Sequence, residues 1–591
     1  MKTIKIGCAS GFWGDSNMST PQLLASKEMD YLVFDYLAEI TMSIMARQHA
    51  KNPEFGYAHD FVSKVMKDAL PEIAAQGVKV VSNGGGVNPE SCGRALEALI
   101  KELGLNLSVA VVTGDDLMPR VDELRAADTK EMFTGTSMPD AFMSMNAYLG
   151  AFPVAAALAK GADIVVTGRA VDSAVTLGPC IHEFGWKTDD YDKLSGGSLA
   201  GHIIECGAQA TGGLFTDWDL ADDWANIGYP IVEVNDDGSF VVGKPEGTGG
   251  IVCPGGVAEQ MVYEIGDPQA YILPDVVCDF SEVEITEVGD QKVKVDGAKG
   301  SKPTDTAKVS ATYFDGFRII VGVTIRGIDA DGKARKTVES VLKRSRQMLK
   351  EMGAPDFTEV HADYVGSESE YGPNARMKHS REVWARLGAK HPSMDALKLL
   401  LREMTSTGTS MSPGTTGGGG GRATPSPIVR LFSCVVNKES LSPMVHFKGE
   451  SWEVPFADGA PIDDNAIVRP TIANDESAGD LTEVPLIKIA HGRSGDKGNH
   501  ANIGIIARKP EFYPIVRAQI TNEVVAEYFA HYLEGGVERW DLPGIHGVNF
   551  LLHDVLGGGG MASLRHDPQG KAYAQMLLDY PVQVPKSLLD S

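Results

Sequence analysis

The pattern of hydrophobic and polar residues changes near residue 229. Before it, short and almost wholly apolar runs are separated by longer stretches in which apolar residues recur every three or four positions. These runs are TIKIGCA (from Thr3), YLVF (from Tyr31), VKVVSN (from Val78), LSVAVVT (from Leu107) and ADIVVTG (from Ala162). Continuous apolar runs are typical of strands buried on both faces, so this half predicts an α/β fold with a mainly parallel sheet flanked by helices.

The segment after the third run shows how helices separate these strands. Asn88 can cap a helix, Pro89 suits the first helical position, and apolar residues then recur at helical spacing as far as Leu103. Because parallel strands need a long crossover connection, such strand–helix–strand units imply a parallel sheet with helical cover.

From about residue 230 to residue 335 the strands alternate polar and apolar residues, as YPIVEVNDDGSFVVGKP does around an Asp237-Gly238 turn. We expect a β-rich section packed on the core, followed by a helix in KTVESVLKRSRQMLKEMG. The stretch TSTGTSMSPGTTGGGGGRATPSP, from Thr405, predicts neither helix nor strand. It is either a flexible surface loop or a loop that folds over a ligand, because glycines let a backbone approach closely.

A chain of 591 residues exceeds the size at which one hydrophobic core keeps growing. We predict a core domain over residues 1–462, a polar and acidic linker over 463–484, and a small α+β domain over 485–591. The small domain begins with VPLIKIAHGRSGDKGNHANIGIIAR, from Val484. In it, six polar side chains occupy an expected loop between two apolar runs: His491, Arg493, Asp496, Lys497, Asn499 and His500.

Composition narrows the class of partner. The net charge of -25 and the lack of a Lys/Arg cluster disfavour nucleic acid and anionic membranes. The seven cysteines contain no C-x-x-C pair, which is typical of reduced thiols and of neither a disulfide scaffold nor a zinc module. No segment has the length of a signal-peptide core or a membrane span, so we expect a cytoplasmic protein.

Ligands of open parallel sheets bind beyond the carboxyl ends of the strands, and polar residues follow all five predicted strands. In chain order these are Asp15; Asp35 and Glu39; Asn83 and Asn88; Asp115 and Asp116; and Arg169 and Asp172. Between the two asparagines, Gly84, Gly85 and Gly86 could supply backbone N–H groups. We expect one shared cleft there. Arg169 is either a planar fork for a carboxylate or phosphate or the partner of Asp172 or Asp163 in a salt bridge.

His202 and Glu205 lie three residues apart in a predicted helix, a spacing that could hold a metal or pass a proton. Without a second His/Asp cluster, an internal hydrogen-bonded pair is favoured, and we assign no metal ligand. The sequence has no G-x-G-x-x-G, no G-K-[ST] ending of a phosphate loop and no G-x-S-x-G elbow. It therefore names no cofactor and disfavours a hydrolase of the common triad type.

Several segments together resemble the acyclic terpene utilisation family AtuA. They are SGFWGDS, DYLAEITM, NGGGVNP, KGADIVVTGRAVDSAVTLGP, AGHIIECGAQATGG and GGGGGRATPSPIVRLFS. The stretch from Val484 resembles the ferredoxin-like domain of the same family. This resemblance implies a role in the breakdown of branched acyclic terpenoids, whose intermediates are carried as CoA thioesters, through a hydratase or lyase step.

We therefore expect an enzyme that adds or removes water at the double bond of a branched acyl group. Its candidate catalytic residues are Asp15, Asp35, Glu39, Asp172, Glu205, His491 and Asp496. Its candidate substrate-binding residues are Asn83, Gly84, Gly85, Gly86, Asn88, Arg169, Gly419, Gly420, Arg422, Arg493, Lys497 and Asn499. The small domain would close over the large sheet and contribute anion holders and a proton carrier.

Two alternatives remain open at this point. One is a metal-assisted lyase or isomerase of a hydroxy-carboxylic acid, with the metal held by the clustered carboxylates. The other is a non-catalytic carboxylate-binding subunit of a larger complex. The expected partner in each case is a small carboxylate or acyl-CoA molecule, and the size of the chain and the type of pathway lead us to expect a homo-oligomer.

Overall fold

A computed structural model describes residues 2–377, 379–417, 423–472 and 479–589. Strands and helices alternate in the first part of the chain, and all five apolar runs form strands, as predicted. The elements are β1 (Thr3–Cys8), α1 (Ser19–Ala25), β2 (Tyr31–Phe34), α2 (Glu39–Lys51), α3 (Lys67–Gln76), β3 (Lys79–Ser82), α4 (Pro89–Glu102), β4 (Val109–Thr113), α5 (Val121–Ala126), β5 (Ser144–Ala147), α6 (Phe152–Ala159), β6 (Ile164–Thr167), α7 (Ala174–Phe184) and α8 (Tyr191–Ile204).

The β-rich section contributes strands to the same core and also holds one helix. Its elements are β7 (Ile231–Asn235), β8 (Phe240–Gly243), α9 (Pro254–Met261), β9 (Tyr271–Ile272), β10 (Val277–Asp279), β11 (Glu284–Gly289), β12 (Lys292–Asp296), β13 (Lys299–Ser301) and β14 (Thr306–Arg326). Strands β9, β10 and β13 form a small separate sheet.

The rest of the large domain is mixed. Its elements are α10 (Ala330–Glu351), β15 (Glu359–Val365), β16 (Glu382–His391), α11 (Met394–Ser410), β17 (Thr415–Thr416), β18 (Ser426–Asn437), β19 (Met444–Phe447) and β20 (Glu450–Glu453). The predicted helix in KTVESVLKRSRQMLKEMG is confirmed as the greater part of α10.

The main sheet has eleven strands in the order β11-β12-β8-β7-β1-β2-β3-β6-β4-β19-β20. Its centre, β1-β2-β3-β6-β4, is parallel, and both flanks are antiparallel. A mixed sheet with helices on its faces confirms the α/β class. The parallel centre places the carboxyl ends of five strands at one edge, where the candidate site lies.

A second sheet is built around the long strand β14, which pairs with β5, β16, β17 and β18. Helices α10 and α11 pack on this sheet through buried residues such as Val341, Leu397 and Leu400. The sheet supports β5 and, through it, the segment that carries Tyr148.

The prediction that the stretch from Thr405 contains neither helix nor strand was wrong at both ends. Helix α11 continues to Ser410, and β18 begins at Ser426. Met404 and Thr407 bury the helix face, and the hydroxyl of Thr405 donates to the Leu401 carbonyl 2.8 Å away. Tertiary packing and these local bonds outweigh the weak helix propensity of serine and threonine.

The small domain has a four-stranded sheet in the order β22-β23-β25-β24. Its elements are β21 (Leu481–Pro485), β22 (Ala490–Lys497), β23 (His500–Ala507), α12 (Tyr513–Gln519), α13 (Asn522–Tyr528), β24 (Val537–Leu542), β25 (Gly547–Leu552), α14 (Gly559–Ala562), α15 (Tyr573–Leu577), β26 (Pro581–Pro585) and α16 (Lys586–Leu589). The residues expected to form a polar loop lie mostly on β22, so that prediction was wrong. The predicted domain boundaries stay predictions.

Each domain has its own core: two clusters fill the faces of the main sheet, and a third lies between the small sheet and its helices. The domains meet along the segment that follows α9. The Asn502 side chain accepts from the Glu264 N–H at 2.9 Å and donates to the Val262 carbonyl at 2.6 Å. Within the described residues, no helix is long and apolar enough to cross a membrane.

Candidate functional site

The large domain's side of the candidate site begins at the end of β2. Asp35 is 6% exposed, and the Asn83 side chain after β3 donates to its carboxyl group. Asn83 in turn accepts from the Tyr36 N–H at 2.7 Å, which fixes both loops. Burial raises the pKa of Asp35 well above its usual value, and the nearby carboxylates of Asp172 and Glu205 raise it further. The surroundings of Asp35 therefore favour its protonated form.

The next strand end supplies a buried ion pair. Arg169 donates from Nη1 to Asp172 Oδ1 at 2.7 Å and to the Leu37 carbonyl at 2.9 Å, and its guanidinium lies 4.2 Å from the Tyr148 ring centroid. Of the two interpretations for Arg169, the structure has the salt bridge. The Asp172 side chain is a third exposed and faces outward.

Glu39 lies at the start of α2 and accepts from the Tyr148 hydroxyl at 3.1 Å. Burial raises the pKa of Glu39, but the positive charges of Lys308 and Arg169 outweigh that effect and lower the pKa below its usual value. The pKa of Glu39 is therefore shifted in the opposite direction to that of Asp35, which favours the ionised carboxylate.

His202 and Glu205 form the hydrogen-bonded pair that the sequence favoured, with 3.2 Å between Nδ1 and Oε1. Burial lowers the pKa of His202 to about 4, helped by the charge of Lys497. Burial also raises the pKa of Glu205 well above its usual value, and Asp172 adds to the effect. Burial thus favours the uncharged form of both partners. Among the described residues, no group of three or more His, Cys, Asp or Glu is arranged to hold a metal ion.

The small domain supplies Asp496 near the end of β22. Burial raises the pKa of Asp496 to about 7, and the neighbouring carboxylate of Glu264 adds to this effect. Its carboxylate lies 3.4 Å from the Lys571 ammonium, which also bonds to Glu264 at 2.7 Å. Gly495 lets the strand approach, because a Cβ there would lie 2.6 Å from atoms of Glu264 and Tyr263.

Lys497 forms no salt bridge to any described residue. Its ammonium is close enough for its charge to lower the pKa values of Glu205 and Glu264. A free cation beside protonated carboxyls is a favourable place for a negative group on a ligand.

Sequence reasoning missed three residues of the site: Glu264, Lys571 and Tyr148. Lys571 and Glu264 are 307 positions apart and belong to different domains. No motif marks Lys571, Glu264 or Tyr148. Only the docking of the small domain brings these side chains to the carboxylates.

Several predicted site residues instead stabilise loops. Asp15 accepts from the Tyr229 hydroxyl at 2.7 Å and from the Gly11 N–H at 2.9 Å. Asn88 caps α4 by accepting from the Ser91 N–H at 3.3 Å, which confirms the prediction that Asn88 caps a helix. We see no contact that brings Asp15 or Asn88 to the carboxylate cluster.

The glycine turn after β3 is closely packed. Gly84 donates its N–H to the Ser82 hydroxyl at 3.0 Å, and Gly86 donates to the Asn83 carbonyl at 3.3 Å. A Cβ at Gly85 would lie 2.4 Å from the Thr167 carbonyl oxygen. The N–H groups of Gly84 and Gly86 therefore serve the turn itself, and the substrate-binding role of the three glycines stays a prediction.

Two residues of the stretch from Val484, His491 and Asn499, make their contacts away from the carboxylate cluster. His491 and Lys497 are six residues apart on β22, which corresponds to about 20 Å at roughly 3.4 Å per residue. His491 contacts Asp217 Oδ2 at 3.0 Å. Asn499 donates to Asp554 at 2.9 Å and accepts from the Gly558 N–H at 2.7 Å, so it holds the hairpin.

Arg493 is buried at the domain interface. It donates to the Gln209 side chain and to the Leu214 carbonyl at 3.3 Å, and its guanidinium stacks 4.5 Å from the Tyr263 ring centroid. These contacts dock the two domains, and the expected role of Arg493 as an anion holder stays a prediction. Gly419, Gly420 and Arg422 lie outside the described residues.

The geometry supports proton transfer beside a cation. Burial favours the protonated forms of Asp35 and Glu205, the pKa of Asp496 is about 7, and Lys497 forms no salt bridge within the described residues. Such pairs of groups with different proton affinities are a feature of general acid–base sites.

Comparison with known proteins agrees with this two-domain arrangement. Residues 4–447 match the family described as acyclic terpene utilisation family protein AtuA, and residues 484–583 match the AtuA ferredoxin-like domain. Neither the curated proteins nor the solved structures give a match. Since the first match covers well over half of its length, the chain belongs to the acyclic terpene utilisation family AtuA.

Proposed function

We propose that the chain is a catabolic enzyme that adds water to, or removes it from, the double bond of a branched acyl group carried as a CoA thioester. The observation that carries the proposal is the carboxyl cluster where the domains meet: the pKa values of Asp35, Glu205 and Asp496 are raised, and the charge of the Lys497 ammonium acts on Glu205. The family's association with acyclic terpene utilisation supports a catabolic substrate of this kind.

In the direction of hydration, a base removes a proton from water while the water oxygen bonds to the β-carbon of the acyl group. The electron pair of the double bond moves toward the carbonyl, which becomes an enolate. Asp496, with a pKa of about 7, is suited to take and return a proton near neutral pH. Lys497 would stabilise the enolate oxygen as its negative charge develops.

The enolate then needs a proton at its α-carbon. Glu205 is the donor we assign, because its raised pKa favours the protonated form and its side chain keeps 14% exposure. Asp35 is more deeply buried and bonded to Asn83, so we assign it no proton transfer to the substrate. The sum is H and OH added across one double bond, and transfer of the proton from Asp496 through water to Glu205 restores both groups for the next turnover.

The test is incubation of the full chain with branched unsaturated acyl-CoA thioesters and with free hydroxy-acids, with and without a chelator, followed by product masses. The expected product gains or loses one water on a thioester whether or not chelator is present. Glu205→Gln should abolish the change, whereas the exposed Glu351→Gln should not.

Other outcomes would replace this proposal. Cleavage or rearrangement of a hydroxy-acid that requires metal would favour a metal-assisted lyase or isomerase. Tight binding of a carboxylate without any turnover would favour a binding subunit of a larger complex.

A further inference from the structure

Apart from the carboxylate cluster, a cavity lies between the domains at the His491 end of β22. Its volume is about 400 Å³, and its walls come from the start of α9, from β11 and from the loop after β23. The residues that matter for its chemistry are His491, Arg508, Lys509, His546, Thr286 and Glu284. None of them belongs to the carboxylate cluster.

Two basic side chains of the wall are available to a ligand. Neither Lys509 nor His546 forms an ion pair or a side-chain hydrogen bond with any residue in the described ranges. Arg508 adds a third positive group, although its fork is already occupied by Asp217 with both contacts at 2.6 Å. One exposed carboxylate, that of Glu284, lies on the opposite wall.

His491 presents an unsatisfied polar atom at the same place. Its Nε2 lies 3.0 Å from both Asp217 Oδ2 and Arg508 Nη1, while Nδ1 is buried and has no partner among the described residues. The carboxylate of Asp217 accepts the Nε2 proton, so Nδ1 is an acceptor and offers no donor to an anion. The groups of this cavity that can bind an anion are therefore Lys509 and His546.

The backbone and the apolar wall add to this chemistry. Helix α9 begins at Pro254, and Gly255 lies against the ring of His491, with 3.3 Å between a Cβ built there and Nδ1. The start of a helix favours negative charge. Ile285 and Ile545 supply flat apolar surface, which suits a ring system attached to the anion.

We propose that this cavity binds a phosphorylated small molecule, with the phosphate held by Lys509 and His546 and an apolar ring against the isoleucines. This inference goes beyond the proposed reaction, because the site would bind its ligand whether or not water is added to an acyl group. A free phosphate and the phosphorylated end of CoA share the chemistry, and the test separates them.

The experiment is isothermal titration calorimetry of the full chain at low salt with inorganic phosphate, ADP and CoA. Saturable binding of ADP and CoA but not of phosphate would identify a phosphorylated nucleotide as the ligand. Binding of phosphate with the same affinity as ADP and CoA would identify the free ion. Both results support the site.

Variants locate the binding. Lys509→Gln combined with His546→Asn should weaken it at least tenfold, and Glu284→Gln should tighten it because a repulsive charge is removed. Asparagine is chosen because His546 has a left-handed backbone, with φ 53. The exposed Lys343→Gln should change nothing.

Two results would overturn the proposal. One is the absence of saturable binding for all three probes. The other is binding that the double variant leaves unchanged. Neither depends on turnover, so a failure here is distinct from a failure of the proposed reaction.

Discussion

Each end of strand β22 has a carboxyl group beside it, and the pKa values of these two groups are shifted in opposite directions. At its first end, Asp217 of the large domain accepts two hydrogen bonds from Arg508 and one contact from His491. The hydrogen bonds from Arg508 lower the pKa of Asp217, even though burial opposes the shift. At the other end, burial raises the pKa of Asp496 to about 7.

The two carboxyl groups differ in how much positive charge lies beside each of them. The carboxylate of Asp217 has a matching cation on the other domain, so its negative charge is stabilised and holds the domains together. The cation near Asp496 is Lys571, which is shared with Glu264. Sharing leaves too little positive charge to keep every carboxyl ionised, and the surplus proton is available for chemistry.

The largest expected effect comes from removing the proton carrier. Asp496→Asn keeps the size of the side chain and removes its titration, so kcat should fall by about 10²–10³-fold. Steady-state kinetics with the thioester that gives turnover measure this loss. The exposed Glu511→Gln on the same domain is the matched control, and an Asp496→Asn enzyme with undiminished kcat would contradict the assignment.

The contact of Asp217 with Arg508 and His491 acts as a clamp between the domains, and breaking it should instead lower the stability of the fold. Asp217→Ala leaves Arg508 and His491 partly buried without their acceptor and should lower the free energy of unfolding by about 2–3 kcal/mol. Urea denaturation measures it, and a double-mutant cycle with Arg508→Ala should show that the two losses are not additive. Additive losses would mean that the pair does not act as a clamp.

The pH dependence of stability separates the two ends further. Because the pKa of Asp496 is raised to about 7 in the folded protein, its contribution is fully present below its unfolded value and is lost as pH rises through 7. Asp496→Asn should therefore be more stable than the natural protein above pH 7, by about 1–2 kcal/mol, and equal to it below pH 4. An equal difference at both pH values would contradict a raised pKa.

The smallest effect concerns a residue that the sequence placed in the site. Asn499→Ala removes two hydrogen bonds of the hairpin and should destabilise the chain by about 1 kcal/mol. Among the described residues, no hydrogen bond joins Asn499 to Glu205, Asp496 or Lys497, so kcat should not change. A large loss of kcat with unchanged stability would return Asn499 to the site.

Much of the large domain could be predicted from hydrophobic periodicity. Five buried strands gave five apolar runs, and the rule for parallel sheets placed Asp35, Glu39 and Arg169 near one edge. The same rule could not distinguish a site residue from a loop residue. Asp15 and Asn88 follow strands as well, and local hydrogen bonds use their side chains.

The other half of the site depends on how the domains dock. Lys571 reaches Glu264 across 307 positions of sequence, a distance that no local pattern spans. The polar residues from His491 to Lys497 were expected on a loop, because their glycines and charges mask a strand. Their strand pairing with β23 then separates His491 from Lys497, which a compact loop would have kept together.

The most direct test compares Lys497→Met with His491→Asn, one at each end of the strand, by measuring kcat on a branched unsaturated thioester. The account predicts a loss of about 10²-fold for Lys497→Met, because the enolate loses its cation, and an unchanged kcat for His491→Asn. A fall in kcat for His491→Asn alone, or an equal fall in both variants, would contradict a catalytic site at the Lys497 end.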